Sequence, residues 1–526
     1  MSERSLGSSS EHIVMLPMMA QGHLIPFLAL ARKIHQRTGF NITIASTPLN
    51  IQYLRSTFYK DSTPATECSG IHLAELIPFG RIVDQSKLPI PDRNAENLPL
   101  DQMEELFSLT ISLQAPFHRL LSDIKEKEGR PPLCTISDIF MGWAVEVAKS
   151  VGTINITFTT TGAYGGLAYF SLWLNLPHLR ADSEELTIPG LPDRCRFHIS
   201  QFHKFVRMAD GSDPCSRFLQ PQISQTFQSF GYLCHTAEEV EPLALEWLRN
   251  YIKLPIWAIG PLLPPVMLNK SPYSGSSMSK HRAGKQPGIS LERCIEWLDL
   301  HCPDSVLYVS FGSQNTISPS QMMELAKGLE ESRNPFIWVI RPPFGFDMKG
   351  EFKAEWLPEG FEERMSESKQ GLLVRKWAPQ VETLLHKSTG AFLSHCGWNS
   401  VLESLSQGVP IIGWPLVGEQ PFNSKMLVEE MGVSVELTRG HDSTIEAKEA
   451  KKVIEMVMNK KGKGGEMRKK AVEIAEKIRA AVTEEGERKG SSITALDDFI
   501  SAVLTKRFTS SLAANHSQGT SLILCH

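Results

Sequence analysis

Between Trp377 and Gln420 the chain reads WAPQVETLLHKSTGAFLSHCGWNSVLESLSQGVPIIGWPLVGEQ, which brings an indole, amides, an imidazole, hydroxyls and carboxylates into one short span. At its middle, the apolar run Gly390 to Ser394 suits a buried strand, and His395-Cys396-Gly397-Trp398-Asn399-Ser400 opens a helix. A helix start carries unpaired backbone N–H groups and partial positive charge, so it favours a diphosphate. His395, Asn399 and Ser400 can add side-chain hydrogen bonds there. Trp377 follows the strand candidate Leu372-Leu373-Val374, and Ala378-Pro379-Gln380 stiffens the chain, so the indole can stack on a base while Gln380 offers a donor and an acceptor. Glu403, three residues beyond Ser400 on the same predicted helix, can accept from two ribose hydroxyls, and Glu419-Gln420 can do the same for a sugar ring. The pattern fits a nucleotide-sugar site. The alternative is that HCGWNS and its flanking glycines only pack a strand-turn-helix unit.

A second group of residues could move a proton. Pro17-Met18-Met19-Ala20-Gln21-Gly22-His23 follows the first strand, and Gly22 is expected to let a loop turn so that His23 projects from the strand's C-terminal edge. Transfer of a glycosyl group to a hydroxyl needs a base of near-neutral pKa, which imidazole supplies. A loop histidine can equally be a structural hydrogen-bonding residue. Asp138 ends the strand candidate Cys134 to Ser137, on the same edge as His23 if the two strands are parallel neighbours. Its carboxylate could orient the imidazole, or could simply cap the next helix. In Phe311-Gly312-Ser313-Gln314, after the strand Val306 to Ser310, the glycine allows close backbone approach and Ser313 can reach a diphosphate oxygen. No Asp-x-Asp pair occurs, which disfavours a metal-dependent transferase, and no metal site is expected.

The elements that must hold these groups alternate. Strand and helix candidates run Ile13 to Leu16, Ile25 to Arg37, Ile42 to Ser46 and a helix after Asn50, then Gln102 to Lys127, Cys134 to Ser137, Gly142 to Val151, Ile154 to Phe158 and Tyr232 to His235. A second series follows: Leu291 to Leu300, Val306 to Ser310, Pro319 to Ser332, Phe336 to Arg341, the segment above, and charge-dense helices from 445 to 504. This is the rhythm of parallel α/β sheets. Residues 1–11 are expected to be disordered, 12–260 to form one domain, 261–290 (rich in Pro, Ser, Gly and Lys) a linker with an insertion, and 291–490 a second domain. A cleft between them would seat two substrates.

At 526 residues, 41% hydrophobic and 21% charged, the chain has apolar mass for two domains. A formal net charge of −4 excludes the extended basic surface that nucleic acid or an anionic membrane would need. Nine scattered cysteines without a CxxC pair read as reduced thiols, and the polar N-terminus and interrupted apolar stretch after it are neither a signal peptide nor a membrane span, so a cytoplasmic location is expected.

The segment from 377 to 420 resembles the donor-binding signature of plant-type family-1 UDP-glycosyltransferases along its full length, and QGHLIP and ISDIFMGWAVEVA are similar to that family's histidine and aspartate segments. The resemblance implies a GT-B fold, two doubly wound Rossmann-like domains facing a central cleft. It implies inverting, metal-independent hexosyl transfer with His23 as general base oriented by Asp138, and with no cofactor beyond the co-substrate. Donor contacts would fall to Ser313, Trp377, Ala378, Gln380, His395, Trp398, Asn399, Ser400, Glu403, Glu419 and Gln420. Gln420 resembles glucose-using members, where a histidine goes with galactose, and Glu419 stands where many relatives carry Asp, so UDP-glucose is the leading donor and another UDP-sugar the alternative. The acceptor should be a small lipophilic alcohol or phenol against loops 78–100 and 182–215, with Phe140, Trp143 and Tyr164 as apolar walls. In the family the last helix returns to the N-terminal domain, which 491–506 could do here, leaving 507–526 as a loose tail. From other classes, a nucleotide-sugar epimerase or a non-catalytic UDP-sugar-binding protein would share the scaffold.

Overall fold

The computed structural model describes residues 10–60, 70–77, 103–268, 288–348, 350–440, 443–485 and 488–521. In the N-terminal half, β1 (His12–Leu16), β2 (Asn41–Ser46), β3 (Ile71–Glu75), β4 (Cys134–Asp138), β5 (Ile154–Thr159), β6 (Gly231–Cys234) and β7 (Ile256–Ala258) form one parallel sheet in the order β3-β2-β1-β4-β5-β6-β7. In the C-terminal half, β8 (Val306–Ser310), β9 (Phe336–Ile340), β10 (Gly371–Arg375), β11 (Thr389–Ser394), β12 (Ile411–Gly413) and β13 (Ser434–Glu436) form a second, ordered β10-β9-β8-β11-β12-β13. Both are doubly wound: strand order reverses between β1 and β4, and again between β8 and β11. Ligands of open α/β sheets bind outside the carboxyl ends of the strands at such a reversal.

The central strands are buried almost throughout because helices cover both faces. Alternate residues of β1 divide between two cores: Ile13 and Met15 pack with Phe27 and Ile136, whereas Val14 and Leu16 pack with Phe117 and Met141 on the other face. In β8, Leu307 and Val309 face one core and Val306 and Tyr308 the other. Each such buried aliphatic side chain contributes about 1.5–3 kcal/mol, so the strand ends are held by the best-packed part of each domain.

Where one helix was expected over 102–127 there are two, Met103–Ser112 and Gln114–Glu128, meeting at Leu113. The break keeps Leu106, Leu109, Leu113, Phe117 and Leu121 on one core. Residues 182–215 contain a two-stranded hairpin, Glu185–Thr187 with Arg196–His198, and a short helix, Lys204–Arg207. The expected linker and insertion over 261–290 lies largely outside the described residues. The final helix, Ser491–Ser521, runs beyond residue 506 into the segment expected to be a loose tail, since nothing from 507 to 521 is a proline. It lies on the N-terminal domain: Leu496, Phe499 and Val503 join the core of Ile13 and Ile42, and Phe499 meets Trp257 edge-on at 5.5 Å. Arg37 pins it with a 2.7 Å bond to Asp497, whose carboxyl is thereby held down at about 2. Among the described residues no helix is long and apolar enough to cross a membrane.

Candidate active site in the interdomain cleft

At the reversal of the N-terminal sheet, β1 delivers His23 and β4 delivers Asp138. His23 sits on the first turn of the helix Gln21–Thr38 and not in a loop, and Gly22 does not make the turn: its φ lies outside the left-handed region. Ala20, in extended conformation, begins the helix, and its carbonyl takes the N–H groups of His23 and Leu24. His23 Nδ1 lies 2.6 Å from Asp138 Oδ2 and 3.1 Å from Thr160 Oγ1. Asp138 is fully buried, and its Oδ1 accepts the Phe140 N–H at 3.1 Å, so the carboxylate caps the next turn and holds the imidazole at once. Burial pulls the His23 pKa down, but the charge and hydrogen bond of Asp138, with a smaller contribution from Glu419, outweigh it and raise the pKa above its ordinary value.

At the reversal of the C-terminal sheet, the segments after β8 and β11 meet around His395. A Cβ on Gly312 (φ +77°) or on Gly397 would lie 2.5 Å from His395 Nε2, so only glycines fit on either side of the ring. Cys396 is left-handed (φ +62°) and turns the strand into the helix Trp398–Ser406 within two residues. Burial and the nearby Arg341 depress the His395 pKa to about 4, leaving a neutral imidazole. Gln380 Nε2 donates to Glu403 Oε2 at 2.6 Å and to Ser400 Oγ at 3.1 Å, and its Oε1 accepts from Tyr308. Gln380 therefore anchors Glu403 and Ser400 in one network.

Two residues of the helix start cross the cleft. The Trp398 indole N–H donates to the His235 carbonyl at 2.7 Å, so this side chain ties the domains together. Asn399 Nδ2 donates to the Gly22 carbonyl at 2.9 Å. That carbonyl would ordinarily accept from the residue four positions on, which is Pro26 and has no N–H. The proline inside the helix thus frees an acceptor next to His23 for the opposite domain. Gln420 Oε1 accepts the Leu416 and Val417 N–H groups at 2.9 and 3.0 Å, which orients its amide nitrogen away from them. Burial raises the Glu419 pKa.

A single cavity of about 310 Å³ spans the two domains. Of the thirteen residues singled out from the sequence it is lined by all but Asp138 and Glu403, which stand one layer behind, in contact with His23 and Gln380. Its N-terminal half is apolar: Phe140, Tyr169, Phe170, Trp173 and the stacked pair Phe107–Phe218, with ring centroids 4.2 Å apart. Of the expected walls, Phe140 lines it, with its ring centroid 5.7 Å from that of His23. Trp143 and Tyr164 do not: Trp143 is buried edge-on to Phe117, and Tyr164 packs on Trp247. The true wall comes from the later turns of the helix Ala163–Asn175, and its signal was the Tyr169/Phe170/Trp173 spacing. Of the expected acceptor loops, 78–100 lies outside the described residues, and 182–215 contributes His203, Phe205, Val206 and Cys215. Among the described residues no group of three or more His, Cys, Asp or Glu is placed to hold a metal ion.

Two Rossmann-like domains whose switch points face each other across one cavity define the GT-B fold. Residues 294–472 match the family model described as "UDP-glucoronosyl and UDP-glucosyl transferase", and residues 10–264 match "Glycosyltransferase, N-terminal domain". The chain is 39% identical to UDP-glycosyltransferase 92A1 of Arabidopsis thaliana over 94% of its own length and 97% of that protein's. It is 41% identical to crocetin glucosyltransferase 3 of Crocus sativus, covering 85% and 91% of the two chains. The crystal structure of Glycyrrhiza uralensis UGT73P12, complexed with glycyrrhetinic acid 3-O-monoglucuronide, superposes with a TM-score of 0.80 at 25% identity, covering 98% of this chain and 100% of that one. The protein belongs to the plant family-1 UDP-glycosyltransferases. It is an enzyme that transfers a hexosyl group from a UDP-sugar to a small-molecule acceptor.

Proposed function

We propose that the protein transfers glucose from UDP-glucose to a hydroxyl of a small lipophilic metabolite, in the cytoplasm, with inversion and without metal or resident cofactor. The observation that carries this is the lock on His23: Asp138 and Thr160 occupy Nδ1, which leaves Nε2 for the cavity shared with the Trp398–Ser406 helix start. In this reading the acceptor hydroxyl lies against the apolar half. His23 Nε2 takes its proton as the oxygen bonds to the anomeric carbon from the side opposite the diphosphate, the glycosidic C–O bond to UDP breaks, and Asp138 stabilises the imidazolium. One displacement inverts the anomeric centre. The leaving diphosphate is met by the N–H groups of the helix start, with Ser400 and Ser313, while the Trp377 indole stacks on uracil and Gln380, oriented from behind by Glu403, faces the ribose. The free amide nitrogen of Gln420, beside Glu419, supports glucose as the sugar, as does the relative named as a glucosyltransferase.

Incubation with labelled UDP-glucose and a pool of phenols and alcohols tests the assignment. A labelled β-glycoside is expected. An altered nucleotide sugar would mean epimerase chemistry, and binding without turnover a sensor. His23→Ala should lower kcat by a factor on the order of 10² or more with UDP affinity unchanged; an unaltered kcat rejects the base.

A further inference from the structure

The cavity carries an electrostatic imbalance. Among the described residues that line it none is Lys or Arg, yet it holds Glu419, with Asp138 and Glu403 one layer behind. A diphosphate brings at least two further negative charges to this setting. Arg341, just beyond β9, does not line the cavity but reaches the loop that follows β8. Its guanidinium donates to three carbonyls of the loop after β8: Nη1 to Ser313 O at 2.7 Å, and Nη2 to Asn315 O at 2.6 Å and to Gly312 O. A planar trans peptide points its C=O and N–H in opposite directions. Fixing the carbonyls of 312, 313 and 315 on the guanidinium therefore turns the N–H groups of Ser313, Gln314 and Thr316 to the other side of the loop. Ser313 and Gln314 line the cavity, and Gly312, in the left-handed region, provides the bend of an anion-binding nest. The same loop presses Gly312 against His395, and the Arg341 charge helps hold that imidazole neutral.

We propose that Arg341 is the positioning residue of the diphosphate subsite: a cation held behind the loop that orients and polarises the amides of Ser313 and Gln314 toward the nucleotide's phosphates, in the part elsewhere played by a bound metal. It rests on the reading that UDP occupies the C-terminal switch point. Arginine is required because three carbonyls need a planar fork of donors, which a lysine ammonium cannot reproduce.

The test is titration of the full-length protein with UDP and with uridine, followed by tryptophan fluorescence, for the parent, Arg341→Met, Arg341→Lys and Ser400→Ala. Arg341→Met should raise the UDP Kd at least tenfold, about 1.4 kcal/mol, and leave the uridine Kd within twofold, because uridine carries no phosphate. Arg341→Lys should recover only part of the UDP affinity; if the methionine variant does not fold, the lysine variant's UDP-to-uridine ratio decides. Equal loss for both ligands would reduce Arg341 to a general structural role and overturn the proposal, as would an unchanged UDP Kd. Ser400→Ala separates the two layers. If it weakens UDP while both Arg341 variants do not, only Arg341 is misassigned; if neither position affects UDP, the nucleotide lies elsewhere.

Discussion

Asp138→Asn isolates the contact on which the proton transfer depends. The substitution keeps shape: Asn Oδ1 can still accept the Phe140 N–H, now taken by Asp138 Oδ1 at 3.1 Å. It then presents NH₂ to His23 Nδ1, where a carboxylate oxygen sits at 2.6 Å. Two losses combine. A hydrogen bond to a charged group contributes roughly 1.5–3 kcal/mol, or one to two decades of rate at about 1.4 kcal/mol per decade. Donation from the amide also favours the tautomer with the proton on Nε2, which cannot accept one from substrate, so part of the general-base factor of about 10²–10⁴ is lost as well. Together kcat should fall on the order of 10³-fold. Since Asp138 does not line the cavity, the UDP Kd should hold. The pH profile adds an independent readout. A base works only when deprotonated, so kcat/KM declines as pH falls through the His23 pKa, and Asp138 raises that pKa. Removing its charge must move the acid limb to lower pH. Initial rates from pH 5 to 9 with UDP-glucose and a phenolic acceptor supply both numbers; a kcat within fivefold of the parent, with the limb unmoved, would refute the dyad.

Trp377→Ala should weaken UDP by about 1–3 kcal/mol, the worth of one base-on-aromatic stack, with little change in acceptor KM; titration with UDP decides it, and parental affinity contradicts the stacking role. Gly312→Ala forces a left-handed residue, at roughly 1–2 kcal/mol, and drives a methyl into His395. A lower melting temperature and a raised UDP Kd are expected, and retained UDP affinity would show that the ring is not held by this contact. Phe218→Ala breaks the Phe107 stack, worth about 0.5–1.5 kcal/mol beyond area, and should raise acceptor KM several-fold at constant UDP Kd; acceptor kinetics that match the parent would remove this pair from the pocket.

The sequence disclosed most where a function needs several residue types at fixed spacing. Strand, turn and helix from Gly390 to Ser406 were readable because apolar run, glycine and helix start each have a local cause. His23 was placed correctly at a strand's edge, but its helix was set four residues too late, because Gln21-Gly22 and Pro26 look like a break. Pro26 is the sixth residue of this helix and gives up one intrahelical bond, and its missing N–H frees the Gly22 carbonyl for Asn399. Trp398 could be read as part of a donor motif, yet its indole goes to His235, a partner 163 positions away that no local pattern reveals. Trp143 and Tyr164 failed for the same reason: an aromatic residue near a site looks alike in sequence whether it faces the cavity or the core. Arg341 had no motif, since its work is done by three backbone carbonyls.

A crystal structure of the protein with UDP bound would test the central claim most directly. Uracil should lie flat on the Trp377 indole, the diphosphate should sit at the start of the Trp398–Ser406 helix against the Gly312–Asn315 loop, and His23 Nε2 should face the open end of the β-phosphate across the cleft. Nucleotide bound away from the indole, or an imidazole turned from the phosphate while still held by Asp138, would contradict it.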